Sequence, residues 1–173
     1  MRHTLAALVE NHFGVLARVA GLFGRRGFNI ESLAVGPTDD PSVSRMTIVI
    51  DGDRRVRDQI VRQMSKLIDA IDVQALAPEA TVSRELALIK VAATAENRSQ
   101  IMQIVDVFRG QVVDVGKSSL MLELTGDEAK VGAILEVLSE FGVLEVARTG
   151  VVALTRGAEA MRVSADGGQA PSA

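Results

Sequence analysis

Residues 3–10 set Leu5, Ala7 and Val9 on one side of an extended chain and Ala6 and Leu8 on the other. Both sides are apolar, so the pattern predicts a strand in the interior of a sheet. From 14 to 26 the period changes, and Leu16, Val19, Ala20 and Phe23 recur at helical spacing. Arg25 and Arg26 fall in the last turn of that helix, where cations suit its dipole, and Gly27 can take the left-handed stop. Residues 28–35 predict a strand, 36–41 (Gly-Pro-Thr-Asp-Asp-Pro) a turn, and 43–51 another strand. Val56, Ile60, Met64, Leu67 and Ile71 mark one face of a second helix running to about residue 70. A strand over 71–77 closes the series β-α-β-β-α-β.

The series then repeats. Pro78 and the polar residues 79–85 read as a linker, and a strand over 86–93 follows. The next helical stripe, Ile101, Ile104, Val105 and Phe108, matches Leu16, Val19, Ala20 and Phe23 at an offset of 85. Arg109-Gly110 ends it as Arg26-Gly27 ends the first. Strands over 111–116 and 118–125, a helix with Val131, Ile134, Leu135 and Leu138 on one face, and one or two strands over 143–154 complete the second copy. The predicted class is α+β: two units over 1–77 and 86–157, a linker over 78–85, and a disordered tail over 158–173. Each unit is an antiparallel four-stranded sheet with two helices on one face. The other face carries apolar residues that want covering, which favours an oligomer.

Composition narrows the function. Apolar residues make up 47% of the chain and aromatics only 3%, with no Trp or Tyr, so cores are aliphatic and base-stacking surfaces scarce. A formal net charge of −3 gives no electrostatic case for nucleic acid. The lack of Cys excludes disulfides and thiolate metal sites and fits a reducing compartment. No apolar run approaches a membrane span, and nothing resembles a signal peptide, so a cytoplasmic protein with no membrane partner is expected.

The two copies differ where chemistry could occur. Asn11-x-x-Gly14, between the first strand and helix, corresponds roughly to Thr94-x-x-Asn97, and the second copy lacks the 36–41 loop. A glycine before a helix lets a ligand approach the backbone, and a helix N-terminus suits a carboxylate. Asn11 offers donor and acceptor, and Val15, Leu16 and Ile30 could fit an apolar side chain. The same residues also suit a plain strand-to-helix turn. The strand over 28–35 lies at a sheet edge in this topology. Pairing it with its counterpart in a second copy would give a two-fold dimer, with Asn29 and Glu31 beside the neighbour's loop.

The segments Glu10-Asn11…Gly14-Val15-Leu16, Arg26-Gly27-Phe28-Asn29-Ile30-Glu31-Ser32-Leu33, Ser44-Arg45-Met46-Thr47-Ile48 and Glu145-Val146-Ala147-Arg148-Thr149-Gly150 together resemble the small, regulatory subunit of acetolactate synthase (acetohydroxyacid synthase). The resemblance covers residues 1–157 and implies a ferredoxin-like ACT domain followed by an ACT-like C-terminal domain. It implies no active site and no cofactor in this chain, and a catalytic large subunit as partner carrying thiamine diphosphate, Mg and FAD. It implies enhancement of that partner's activity and feedback inhibition by valine or a related branched-chain amino acid. The ligand would lie at an ACT dimer interface, with Asn11, Gly14, Val15 and Leu16 of one chain facing Asn29 and Ile30 of the other.

Other readings have less support in the residues. His3 and His12 are the only histidines, and neither has a metal-ligand spacing, so no metal site is expected. The glycines of 21–27 fit a helix and its stop, not a dinucleotide loop. Arg54-Arg55-Val56-Arg57 reads as a solvated helix start. A small phosphatase, with phosphate at the first loop and Arg18 or Asn11 assisting, lacks a basic cluster. An amino-acid sensor acting on another enzyme or on transcription is the remaining alternative.

Overall fold

The computed structural model describes residues 1–161. The described residues form two compact units, one over Met1–Val82 together with residues 153–161, the other over Ser83–Val152.

In the first unit the elements are β1 (Arg2–Glu10), α1 (Val15–Arg26), β2 (Ile30–Pro37), β3 (Val43–Asp51), α2 (Arg54–Met64) and β4 (Ala70–Leu76). The sheet order is β2-β3-β1-β4, antiparallel throughout. β1 is central because both its faces are apolar: Leu5, Ala6, Ala7, Leu8 and Val9 are all buried. Leu5, Ala7 and Val9 meet Val15, Val19, Leu22 and Phe23 of α1 and Ile60 and Met64 of α2 in one core. α1 ends as its sequence predicts, on Gly27 at φ 68°, whose N–H reaches back to the Gly24 carbonyl. β2 is an edge strand.

α2 stops at Met64, short of the predicted residue 70. The Ser65 hydroxyl takes the Val61 carbonyl at 2.9 Å, and tight turns at Leu67 and Ala70 follow. These turns bring the Asp69 carbonyl to the Glu10 N–H at 2.9 Å, a contact that a longer helix would prevent.

The second unit contains β5 (Thr81–Ala92), α3 (Arg98–Val107), β6 (Gln111–Val115), β7 (Ser119–Gly126), α4 (Glu128–Leu138) and β8 (Val143–Arg148). Its order, β6-β7-β5-β8, repeats the first sheet, and a short β9 (Val152–Thr155) also pairs β5. Ile89, Val91, Leu120, Leu122 and Leu124 pack on Ile101, Val105, Val131, Ile134 and Leu138. The ferredoxin-like duplication is therefore observed.

Three boundaries differ from expectation. The polar stretch 79–85 is not all linker: one 3-10 turn, Pro78–Ala80, precedes β5, and alternation from Thr81 onward makes it strand. Glu85 is buried there with its carboxylate in the guanidinium fork of Arg148. Arg109 itself takes the positive φ of 53° at the end of α3, while Gly110 serves close approach, since a Cβ there would lie 3.0 Å from the Glu123 carbonyl oxygen. From Ala153 the chain returns to the first unit. Arg45 donates to the Ala153 carbonyl at 3.0 Å and to the Met161 sulfur at 3.4 Å. Residues 158–161 of the expected tail thus have described positions, and 162–173 lie outside the described residues. Among the described residues no helix is long and apolar enough to cross a membrane.

Phe23 carries much of the first core, being 2% exposed and set edge-on to Phe28 at 6.3 Å between ring centres. Phe23→Ala is expected to cost the first unit about 3–5 kcal/mol. Urea unfolding of the two proteins checks this, and a difference below 1 kcal/mol would refute the assigned core.

Candidate functional site

The loop between β1 and α1 is built by backbone geometry. Gly14 precedes α1 at φ 91°, a left-handed conformation that favours glycine. The first backbone bond of the helix runs from the Arg18 N–H to the Gly14 carbonyl at 3.0 Å, and among the described residues no side chain caps the helix. The amides of Val15, Leu16 and Ala17 therefore have no partner within the helix. α2 and α4 contrast with this: Asp53 and Asp127 each accept a first-turn N–H at 2.8 Å. α3, the counterpart of α1, likewise has no side-chain cap, but the loop before it closes on itself, the Asn97 Oδ1 accepting the Thr94 N–H at 2.7 Å.

Asn11 faces away from its own helix. Its side-chain amide donates to the Pro41 carbonyl at 2.8 Å and its N–H to the Ser42 carbonyl at 2.6 Å. The turn it grips is internally braced. Asp40 accepts from the Ser42 hydroxyl at 2.7 Å and N–H at 2.8 Å, and these bonds hold its carboxyl below the usual range. The 36–41 segment that the second unit lacks is thus the wall of this loop.

Of the other residues singled out from sequence, Val15 is buried in the core, while Leu16 is 47% exposed beside the free helix start. Ile30 is half-buried against the same core as Val15. Asn29 is exposed, just before edge strand β2. Phe13 stands 99% exposed at the loop tip. Asn11, Gly14, Val15 and Leu16 thus share one loop and helix start, but Asn11 bonds toward the 36–41 turn and Val15 is buried in the core, leaving Gly14 and Leu16 at the open helix start; Asn29 precedes β2 and Ile30 begins it.

Sequence reasoning missed the anchor beneath the loop. Asp69 is buried, and Nη1 of Arg18 donates to both its carboxylate oxygens at 2.7 and 2.6 Å. Nε2 of His12 lies 3.1 Å from Asp69 Oδ1 and 3.1 Å from Glu10 Oε2, and Nδ1 lies 3.0 Å from the Phe13 carbonyl oxygen. The Phe13 carbonyl, then the charges of Asp69 and Glu10, raise the His12 pKa above its ordinary value. Glu10, His12 and Asp69 place three potential metal-ligand atoms within 4.8 Å, a grouping that sequence spacing did not reveal. The donor set is that of an ion-pair network, since a cation at Asp69 would meet the guanidinium of Arg18.

The network makes the loop sensitive to pH. Charged His12 donates through both ring nitrogens; neutral His12 keeps one N–H and turns a lone pair toward an oxygen. Its folded pKa is raised, so its stabilisation is complete below the ordinary value near 6.5 and is lost as pH rises through the folded value. The melting temperature of wild type should exceed that of His12→Gln at pH 5.5, with the gap closing by pH 8.5. Parallel profiles across that range would exclude His12 as the titrating group.

Comparison with known proteins bears on the fold and the family. Residues 5–72 match the family described as the AHAS small subunit-like ACT domain, and residues 84–157 match the family described as the small subunit of acetolactate synthase. A probable acetolactate synthase small subunit of Archaeoglobus fulgidus is 52% identical over 157 residues, 91% of this chain and 98% of that one. The acetolactate synthase small subunit of Mycobacterium bovis is 53% identical over 155 residues, 90% and 92% of the two chains. The crystal structure of the acetolactate synthase small subunit from Thermotoga maritima superposes with a TM-score of 0.86 at 41% identity, covering 92% of this chain and 99% of that one.

Proposed function

The chain belongs to the acetolactate synthase small-subunit family, and we propose that it binds the catalytic large subunit, enhances its activity and makes it responsive to valine. The thiamine diphosphate, Mg and FAD of the reaction belong, in this reading, to the large subunit. The observation that carries the sensor assignment is the uncapped start of α1 behind Gly14. A valine carboxylate accepts hydrogen bonds there from free amides and is favoured by the helix dipole. Leu16 offers apolar contact to the valine side chain. Asn29 and Ile30 of a second copy, paired through β2, complete the site and supply an acceptor for the ammonium. The position of β2 at the edge of its sheet supports that pairing.

Valine can alter a distant active site only if it favours one arrangement of the ACT pair over another. The coupling needed is of the usual size, about 1–3 kcal/mol. α1 is placed to transmit it, because its first turn holds the ligand and Arg18, one turn on, is fixed to buried Asp69.

Gly14→Asp tests the pocket. A Cβ at Gly14 meets only the Arg18 Nη2, at 3.8 Å, and Asp adopts positive φ more readily than most residues. The variant should fold and assemble, yet lose valine inhibition because its carboxylate repels that of the ligand. Inhibition equal to wild type in the reconstituted enzyme would refute the pocket. Asn29→Ala should weaken valine binding in calorimetry and leave the melting curve unchanged. Valine at 100 times its Kd should add about 2.7 kcal/mol to the stability of the wild-type chain. Leucine and isoleucine should add less, and charged amino acids nothing.

A further inference from the structure

We propose that the outer face of α1 and α2 is the surface that grips the large subunit, and that the surface it meets there is acidic. The inference rests on the functional reading above and adds the docking surface to it.

Charge is segregated in this chain. α1 carries Arg18, Arg25 and Arg26 and no acid. α2 carries Arg54, Arg55, Arg57 and Arg62, with Asp58 as its one acid. Seven arginines against one acid stand on two helices of a chain whose formal net charge is −3. The rest of the molecule is therefore strongly acidic. Only two of these arginines meet a carboxylate among the described residues, Arg18 with Asp69 and Arg57 with Asp58. Arg26 bonds the neutral Gln63, and Arg25, Arg54, Arg55 and Arg62 are exposed without an acidic partner among the described residues.

The second unit is an internal control. It has the same topology, yet α3 holds one arginine and one aspartate, and α4 one lysine and two glutamates. The fold does not demand a basic helical layer. Local stability does not demand it either. Arg25 and Arg26 suit the last turn of α1, but Arg54 and Arg55 open α2, where the helix dipole disfavours positive charge. The corresponding first turn of α4 holds Glu128. Mutual repulsion and the wrong end of a dipole oppose the placement, although Asp53 stands at the N-cap beside it, and a partner of opposite sign would relieve both.

The shape suits a protein surface. The outward positions of α1 between Arg18 and Arg25 are Ala20, Gly21 and Gly24, all small. No aromatic residue lies on the outward positions of either helix, which removes the stacking that a single-stranded nucleic acid would use. α1 also begins at the ligand loop. The ligand loop and Arg25 thus stand at the two ends of one rigid element.

The test uses the full chain and its large subunit, with Arg55→Glu/Arg62→Glu as the variant and Lys117→Glu, an exposed lysine outside both helices of the second unit, as the charge control. Both altered arginines are exposed, so melting curves should match wild type. The double variant should bind the large subunit at least 10-fold more weakly and need correspondingly more protein for full activation. Lys117→Glu should bind as wild type does. Wild-type association should weaken steeply between 50 and 500 mM salt. Valine binding to the isolated chain should be the same for all three proteins. Equal affinity of wild type and double variant would overturn the docking surface and leave the functional reading intact. Failure of the wild-type chain to bind or activate the large subunit would overturn both. A smaller assembly of the isolated double variant would overturn the proposal by assigning the patch to contacts between copies.

Discussion

Asp69 is the fixed point of the first unit. It is buried, its carbonyl takes the Glu10 N–H at the end of β1, and its carboxylate takes Arg18 from α1 and His12 from the loop. Three segments that diverge from one strand end are thereby tied to one residue, the strand through its backbone and the other two through its side chain. A buried carboxylate without its guanidinium is costly, so α1 cannot slide along the sheet without breaking the pair. The loop can then remain short, glycine-containing and uncapped, since its ends are held from below. An open helix start is useful only if it stays in place, and Asp69 keeps it there.

Much of this architecture is legible in the sequence, because it depends on period and punctuation. The apolar alternation of β1, the stripe through Val19 and Phe23, and Gly27 at a left-handed stop are local signals, and the structure realises each. Repetition at an offset of 85 reinforces them, since two copies of one pattern seldom arise by accident. Where the sequence misleads, tertiary demands override a local signal. α2 carries apolar residues at helical spacing beyond Met64, but the chain must turn there to deliver Asp69 to β1. The stretch 81–85 looks like linker because it is polar, yet Glu85 is neutralised by Arg148, far along the chain. Arg18 and Asp69 likewise meet across 51 residues, a separation that no spacing rule detects.

Net charge shows the same limit of composition. A total of −3 suggests a mildly acidic, unremarkable surface. The fold sorts that total by face, gathering arginines on two helices that are separated in sequence by β2 and β3. The run Arg54-Arg55-Val56-Arg57 alone fits a solvated helix start. Beside α1 with its three arginines it becomes half of a larger surface.

Duplication turns these observations into a comparison within one molecule. Both units bury the same strands beneath the same pair of helices, so a feature present in both is explained by the fold. The second unit closes its first loop through Asn97 and Thr94, opens its last helix on a glutamate, and balances its helical charges. The first leaves its loop open at Gly14, braces it through Asn11 against a turn with no counterpart, and crowds arginines around α1 and α2. The open loop and the arginines that begin α2 bring no evident gain to folding, and all of these departures lie on or beside α1. In the reading proposed above, a helix whose start is open to a carboxylate and whose outer face is cationic would join two binding surfaces through one rigid rod. The pairing of α1 with Asp69 sets the position of both.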